Sequence, residues 1–276
     1  VAALERQADA KGEYLVHRSS EPGRPVETLL PELVGDALAG LPIPRRMRWG
    51  AGEAEFVRPV HWVVLLFGDA VIEADILGVR AGRDSRGHRF HAPGPLPIPA
   101  AADYEARLRD PGHVIARFDE RRERVRALVT GAAEAGGGQA LLSDALLDEV
   151  TALVEWPAPV TGSFDERFLD LPREVLVATM QDHQRYFPVE GPGGALLPKF
   201  VTVANIDSRR PAAIAAGNER VIRPRLADAA FFYEADVRHG LAAWREELDR
   251  VVYQEKLGSL GDKTARVAAL AASLAP

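Results

Sequence analysis

Apolar positions along this chain recur at spacings of two and of three to four, and the changes between them predict its elements. Glu13 to Arg18 (EYLVHR) has strand composition, and the Glu21–Arg24 stretch (EPGR) supplies a turn. Thr28 opens a helical pattern carried by Leu30, Leu33, Val34, Ala37, Leu38 and Leu41, which Pro42 and Pro44 stop. Trp62 to Phe67, then Gly68-Asp69, then Val71 to Leu77 predicts a hairpin with a two-residue turn. Pro93, Pro95, Pro97 and Pro99 predict an extended surface loop or edge segment, since proline cannot donate to a ladder. Two helices follow, Ala101 to Arg109 and Phe118 to Ala135. In the second, Phe118, Val125, Leu128 and Val129 share a face while Asp119, Glu120, Arg122 and Glu123 face water, and three glycines from Gly136 end it.

Asp144 is expected to cap the next helix, which runs through Leu146, Leu147, Val150 and Leu153 to the Trp156-Pro157 stop. Pro172 to Gln184 reads as helix, and Tyr186 to Val189 and Phe200 to Ala204 as strands. From Pro211 the pattern is helical, with Leu241, Trp244, Leu248, Val251 and Val252 on one stripe, until Gly258 and Gly261 break it before a last helix, Lys263 to Leu274. The elements mix without regular strand–helix alternation. The predicted class is therefore α+β, a mixed-sheet body over residues 1–208 followed by a helical segment over 209–276.

Composition narrows the possibilities. With 276 residues, 47% apolar and 27% charged, the chain has the balance of one large or two ordinary globular domains. The longest apolar run, Trp62 to Phe67, is far too short to span a bilayer. Cysteine is absent, which excludes disulfides, thiolate zinc sites and a cysteine nucleophile. No secretory leader pattern is present, and the expected compartment is the cytoplasm. The net charge of −6 argues against a uniformly basic nucleic-acid-binding domain, so only local clustering of arginine carries information. Thirty of the 34 basic residues are arginine, a bias that a GC-rich genome produces by itself.

Clustering does occur. Arg80, Arg83, Arg86 and Arg89 recur every third residue with His88 and His91 beside them, four arginines against the single acid Asp84. Gly78, Gly82 and Gly87 permit tight turns, so the guanidinium groups can converge on a phosphate track. Arginine suits RNA because its planar fork pairs with phosphate and its face stacks on bases. A solvated loop whose arginines pair with acidic neighbours fits the same residues. Arg220, Arg223 and Arg225 flank Pro224, with Arg220 and Arg223 on one helical face until the proline interrupts it. They face either RNA or the carboxylates of Asp228, Glu234 and Asp236. Phe231, Phe232 and Tyr233 read as core.

Other motifs carry less. His88 and His91 have the spacing of some metal pairs but no third ligand at zinc-motif distance, so no metal site is expected. Asp182-His183 between a helix and a strand reads as backbone capping, with Tyr186-Phe187 entering the core, rather than as an acid–base pair. The order Asp-His is not the His-Asp metal dyad of HD phosphohydrolases, and no His-Asp dipeptide occurs in the chain. Gly258 to Thr264 fails as a phosphate loop because Asp262 separates Gly261 from Lys263 and no strand is predicted before it. No catalytic residue is expected.

A family resemblance gathers these pieces. RRMRWG at Arg45, EFVRPVHWVVLLFGD at Glu55, GRDSRGHRFHAPGP at Gly82, EVTALVEWP at Glu149, MQDHQRYFPV at Met180, GNERVIRPRLADAAFFYEAD at Gly217 and YQEKLGSLGDKTARV at Tyr253 together resemble the β subunit of bacterial heterotetrameric glycyl-tRNA synthetase. The resemblance implies a body similar to the B3/B4-type domain of phenylalanyl-tRNA synthetase β subunits, then the lead into a helical HD-type domain beyond the chain end. It implies a longer full subunit, of which this chain is a part. It also implies that ATP, magnesium and glycine are handled by an α subunit in an α2β2 assembly, and that this chain, with no cofactor of its own, serves recognition of glycine-accepting tRNA. Consistent with that division, the chain lacks HIGH, KMSKS and class II signatures. Two other functions stay open at this point: a hydrolytic editing domain for mischarged tRNA, as the B3/B4 likeness suggests, and an assembly scaffold for the α subunit. Glycine is the smallest amino acid, so a tight synthetic pocket rejects larger ones by steric clash and editing is less needed.

Overall fold

A computed structural model describes residues 4–9 and 12–275. The end residues Val1 and Pro276, which bound the two ranges expected above, lie outside the described residues. The chain divides into two compact units, Val1–Gly112 and His113–Pro276. Both mix small sheets with helices, so the class is α+β.

The first unit is assembled from short pieces. Strands β1 (Glu5–Asp9) and β2 (Gly12–Val16) pair antiparallel, and helix α1 (Val26–Gly40) follows. Strands β3 (Met47–Arg48) and β4 (Glu55–Phe56) form a second ribbon. The hairpin expected over residues 62–77 is cut up. Val63–Val64 (β5) pairs parallel with β9 (Val79–Gly82), so only Leu66–Phe67 (β6) and Ala70–Val71 (β7) close around the Gly68-Asp69 turn. The second half of the predicted strand, β8 (Asp75–Ile76), instead makes its own hairpin with β9. Ala74, Ile76 and Ala81 are buried there, with Val34 and Leu38 of α1 packed against them. Strand β10 (Asp84–Arg86) then pairs with β11 (Pro95–Pro97), so the proline-rich segment is a strand at a sheet edge. Helix α2 (Tyr104–Arg109) follows a 3-10 turn, Ala101–Asp103.

The second unit is built on one four-stranded antiparallel sheet. Helix α3 (Phe118–Ala135) leads into β12 (Gln139–Ala140), helix α4 (Asp144–Leu153), β13 (Ala158–Ser163), helix α5 (Arg173–Gln184), β14 (Phe187–Glu190) and β15 (Leu196–Ala204). The strand order is β12-β14-β15-β13. Successive strand residues point to opposite faces, and each face takes its own layer of helices. Val201, Phe187 and Val189 join Val125, Val129, Leu147 and Val150 of α3 and α4. Phe200 and Tyr186 join Leu176 and Met180 of α5 with Ile222 and Leu226 of α6 (Pro211–Glu247). The Phe200 ring lies over Gly162, its partner on β13, where a Cβ would come within 2.4 Å of the ring. Tyr186 stacks on Phe200 with ring centroids 4.5 Å apart, and its hydroxyl donates to Oδ1 of Asn218 at 2.7 Å, tying α6 to the sheet. Burial pushes the Tyr186 phenol up.

Several local expectations change. Strand β13 was not foreseen, because prolines and Gly162 mask its alternation, yet all six of its residues pair with β15. Ser143, not Asp144, caps α4: its Oγ accepts from Leu146 N–H at 3.3 Å, whereas Asp144 is the first helical residue and receives Arg122 at 2.7 Å. Arg122 is therefore mostly covered rather than water-facing, also reaching Asp148 at 2.5 Å, and its hydrogen bonds hold the Asp144 carboxyl below the usual carboxylate range. Phe118, expected on the apolar face, is exposed. Helix α6 runs through the exposed Pro224, and its break comes at Gly240 (φ 70°, ψ 161°).

Beyond Ala230, which with Ala229 still packs against this core, the apolar residues of α6 leave it. Phe231 is 67% exposed and Leu241 90%, and Phe232 is exposed as well, because the layer of α5 and sheet that buries Ile222 and Leu226 does not extend to them. The stripe from Leu241 to Val252 is not one helix: α6 ends at Glu247, a 3-10 turn spans Leu248–Arg250, and β16 (Val252–Gln254) pairs with β17 (Gly258–Ser259). The last helix, α7 (Leu260–Leu274), starts three residues earlier than expected. Ser259 and Asp262 close a capping box there, satisfying free N–H groups at the first turn.

Candidate nucleic-acid interface

The first arginine group stands where three short strands meet turns. Leu77 (φ 52°) and Gly78 (φ 77°) form the two-residue β8–β9 turn and set Arg80 directly opposite Asp75. Arg80 is consumed there, pairing with Glu73 at 2.8 Å and Asp75 at 3.2 Å. Arg83 is consumed differently: its two terminal nitrogens donate to the carbonyls of Pro99 and Asp69, both at 3.0 Å, fastening three segments together. In β10 the alternation turns Ser85 inward and leaves Asp84 and Arg86 exposed. The Arg86 guanidinium lies 5.7 Å from the centroid of the Trp62 ring, within cation–π range.

The loop after β10 is shaped by two residues. Gly87 packs against the backbone of Gly112, where a Cβ would meet the carbonyl oxygen at 2.6 Å. His88 donates its N–H to the same carbonyl at 2.7 Å, and its Nδ1 accepts from the N–H groups of Phe90 and His91 at 3.3 Å. At 1% exposure the His88 ring is a core element of this loop, not a surface contact; it was expected on the RNA-facing side. Its role is to cap the backbone of the turn that presents Arg89. Arg86 and Arg89 are exposed and make no ion pair among the described residues. Thus the three-residue spacing that groups four arginines in sequence leaves two of them for solvent.

The second group lies on α6. At about 100° per residue, Arg220 and Arg223 fall about 60° apart, while Arg225 lies about 160° from Arg223. All three are exposed, and none pairs with Asp228, Glu234 or Asp236 among the described residues. Arg223 borders a cavity of about 340 Å³ whose wall also carries Asp165 and Glu219. Glu219 is engaged there, its Oε1 accepting from both the backbone N–H and the hydroxyl of Ser163. Arg220 and Arg223 therefore share a face with carboxylates close by.

Asp182 and His183 are both exposed at the end of α5. The capping expected of them falls to Arg185, which adopts the left-handed conformation (φ 59°, ψ 33°), donates to the Asp182 carbonyl and reaches Glu149 at 2.5 Å. Among the described residues no three His, Cys, Asp or Glu side chains gather as a metal-binding group. Sequence reasoning missed the aromatic component of the first group. Trp62 and Tyr104 border one cavity of about 420 Å³ beside Ser85, although they are 42 residues apart in the chain. The one signal was the large ring of Trp62 beside His61, at the first position of the expected hairpin strand.

No helix among the described residues is long and apolar enough to cross a membrane. A family model described as glycyl-tRNA synthetase beta subunit matches residues 1–276. Curated relatives named as the beta subunit of glycine–tRNA ligase are similar over nearly the whole chain. The Marinobacter nauticus protein is 52% identical over 273 residues, covering 99% of this chain and 39% of that protein. The Hahella chejuensis protein is 48% identical over 272 residues, again 99% and 39%. The Xanthomonas campestris pv. campestris strain B100 protein is 51% identical over 274 residues, with the same coverage. The chain thus spans about two fifths of the length of these relatives.

Proposed function

Because the chain belongs to the glycyl-tRNA synthetase β-subunit family, we propose that it handles tRNA within a glycine–tRNA ligase. In this reading the chain contacts glycine-accepting tRNA, and a separate α subunit, in an α2β2 assembly in the cytoplasm, joins glycine to ATP with magnesium and makes the adenylate. No catalytic residue, cofactor or metal is assigned to this chain. Residues 1–208 form the B3/B4-type body of the subunit, and residues 209–276 lead toward an HD-type domain.

The observation that carries this reading is the state of Arg86 and Arg89. Both are exposed and lack carboxylate partners among the described residues, while their neighbours Arg80 and Arg83 are engaged in holding the loop. An unpaired guanidinium group on a fixed loop is a ready phosphate ligand, with no ion pair to break first. On α6, Arg220, Arg223 and Arg225 add a second cationic surface.

Titration of labelled glycine-accepting tRNA with the chain at several salt concentrations tests this. Binding should weaken as salt rises through counterion release, and Arg86→Ala with Arg89→Ala should flatten the log–log slope by about 1.4–1.8 units, at about 0.7–0.9 per contact. An unchanged slope in the folded double variant would remove these two residues from the interface. No detectable binding would remove the function.

A further inference from the structure

The cavity beside Arg86 has a wall unlike the others. It is lined by Trp62, Leu66, Ser85, Ile98, Ala101 and Tyr104 among others, and none of its lining residues is a carboxylate. The cavities along α6 carry Asp170 with Glu234, and Asp165 with Glu219; the one beside α1 carries Glu55 with Asp75. Each of these walls sets two carboxylates against one arginine (Arg167, Arg223 and Arg46 respectively), a net negative lining that disfavours a phosphodiester. The cavity at Arg185 also lacks carboxylates, but its one ring, Tyr186, is buried in the stack with Phe200. Two rings also stand open in the cavity with Phe231 and Tyr233, but beside Asp170 and Glu234; among these five cavities only the one beside Arg86 combines two open rings, Trp62 at 42% and Tyr104 at 39% exposure, with a lining free of carboxylates.

From this juxtaposition we propose that the cavity receives an unstacked base of single-stranded RNA, seated against Trp62 and Tyr104, with its phosphates toward Arg86 and Arg89. The proposal rests on the tRNA-handling function above and gives that same surface a specific ligand chemistry. Stacking on an aromatic ring is sequence-tolerant because every base has a π-face. A guanidinium 5.7 Å from the Trp62 centroid adds a cation at the rim where a base's own phosphate lies. The volume, about 420 Å³, exceeds that of a single base and leaves room for part of its ribose. Polar reading is available as well. The Ser85 hydroxyl and the Trp62 indole N–H make no hydrogen bond within the chain among the described residues. Asp103 and Glu105 flank Tyr104 in sequence outside the lining, so phosphates are directed away from that end and toward the arginines.

The test uses the chain with Trp49, Trp156 and Trp244 replaced by Phe, leaving Trp62 as the sole tryptophan. Its fluorescence is followed while a single-stranded pentaribonucleotide, and separately glycine-accepting tRNA, is added. Quenching by both is expected. Trp62→Ala should weaken tRNA binding roughly 5- to 150-fold, the loss expected for one stacked base, without changing the salt slope. Trp62→Tyr, which keeps a ring and is safe for folding, should retain most of the affinity, and Tyr104→Ala should reproduce the loss. If tRNA binds without quenching Trp62 and Trp62→Tyr and Tyr104→Ala match the parent, the base pocket is wrong while the tRNA-handling function stands. Quenching by the pentaribonucleotide without tRNA binding keeps the pocket and removes that function; no binding of either RNA removes both. If Tyr104→Ala instead weakens capture of the α subunit and leaves RNA affinity unchanged, the cavity is a protein-docking surface and the proposal falls.

Discussion

Arg86 at the end of β10 and Arg89 on the loop after it are held in place by hydrogen bonds, whereas Arg220 and Arg223 stand on a helix held by buried aliphatic side chains. In the loop, Arg83 ties Asp69 and Pro99 together, and His88 caps the turn from inside. Polar residues are thereby consumed so that Arg86 and Arg89 are presented without an ion pair, with Asp84 the one exposed carboxylate between Arg80 and His91. On α6, Ile222 and Leu226 enter the core beside Tyr186 and Phe200. The helix fixes its outward arginines by periodicity, and it presents Glu219 along with them. A helix cannot choose its neighbours residue by residue, because every position at i±3 or i±4 shares the face. A loop can. Two arginine clusters therefore produce two surfaces of different electrostatic character.

The helix side breaks most severely in its core. Leu226→Ala should cost about 2–5 kcal/mol, read as a fall in urea midpoint, because a fully buried side chain leaves a cavity among rigid rings. If stability holds while tRNA affinity falls, α6 presents its arginines by some means other than core packing. The loop side should break at Gly87. A Cβ there meets the Gly112 oxygen at 2.6 Å and the Ala92 Cβ at 2.8 Å, so Gly87→Ala should cost about 1–3 kcal/mol and disturb the positions of Arg86 and Arg89. A tRNA salt slope identical to the parent's in this variant would show that the loop's shape does not matter to binding. The smallest effect is expected from Arg80→Ala. Its two ion pairs are exposed, so stability should change by about 0–1 kcal/mol and the salt slope should stay put. An affinity loss as large as that of Arg86→Ala would erase the distinction between consumed and free arginines.

Sequence alone was enough for whatever depends on neighbours a few residues away. The helices Phe118–Ala135 and Arg173–Gln184, the Gly68-Asp69 turn and the proline-rich edge strand were legible because periodicity, turn chemistry and the missing proline N–H act locally. Family membership was legible too, from long ordered motifs spread over the chain. Tertiary structure decided the rest. Nothing near Arg83 foretells carbonyl partners 14 and 16 residues away, and nothing near His88 foretells burial against Gly112. Strand β13 is a strand because β15 pairs with it, and Phe231 is exposed because no layer lies over that part of α6. Each of these outcomes turns on a partner brought near by the fold. Local pattern sets which conformations a segment favours, while burial and partnership are settled only when distant segments meet.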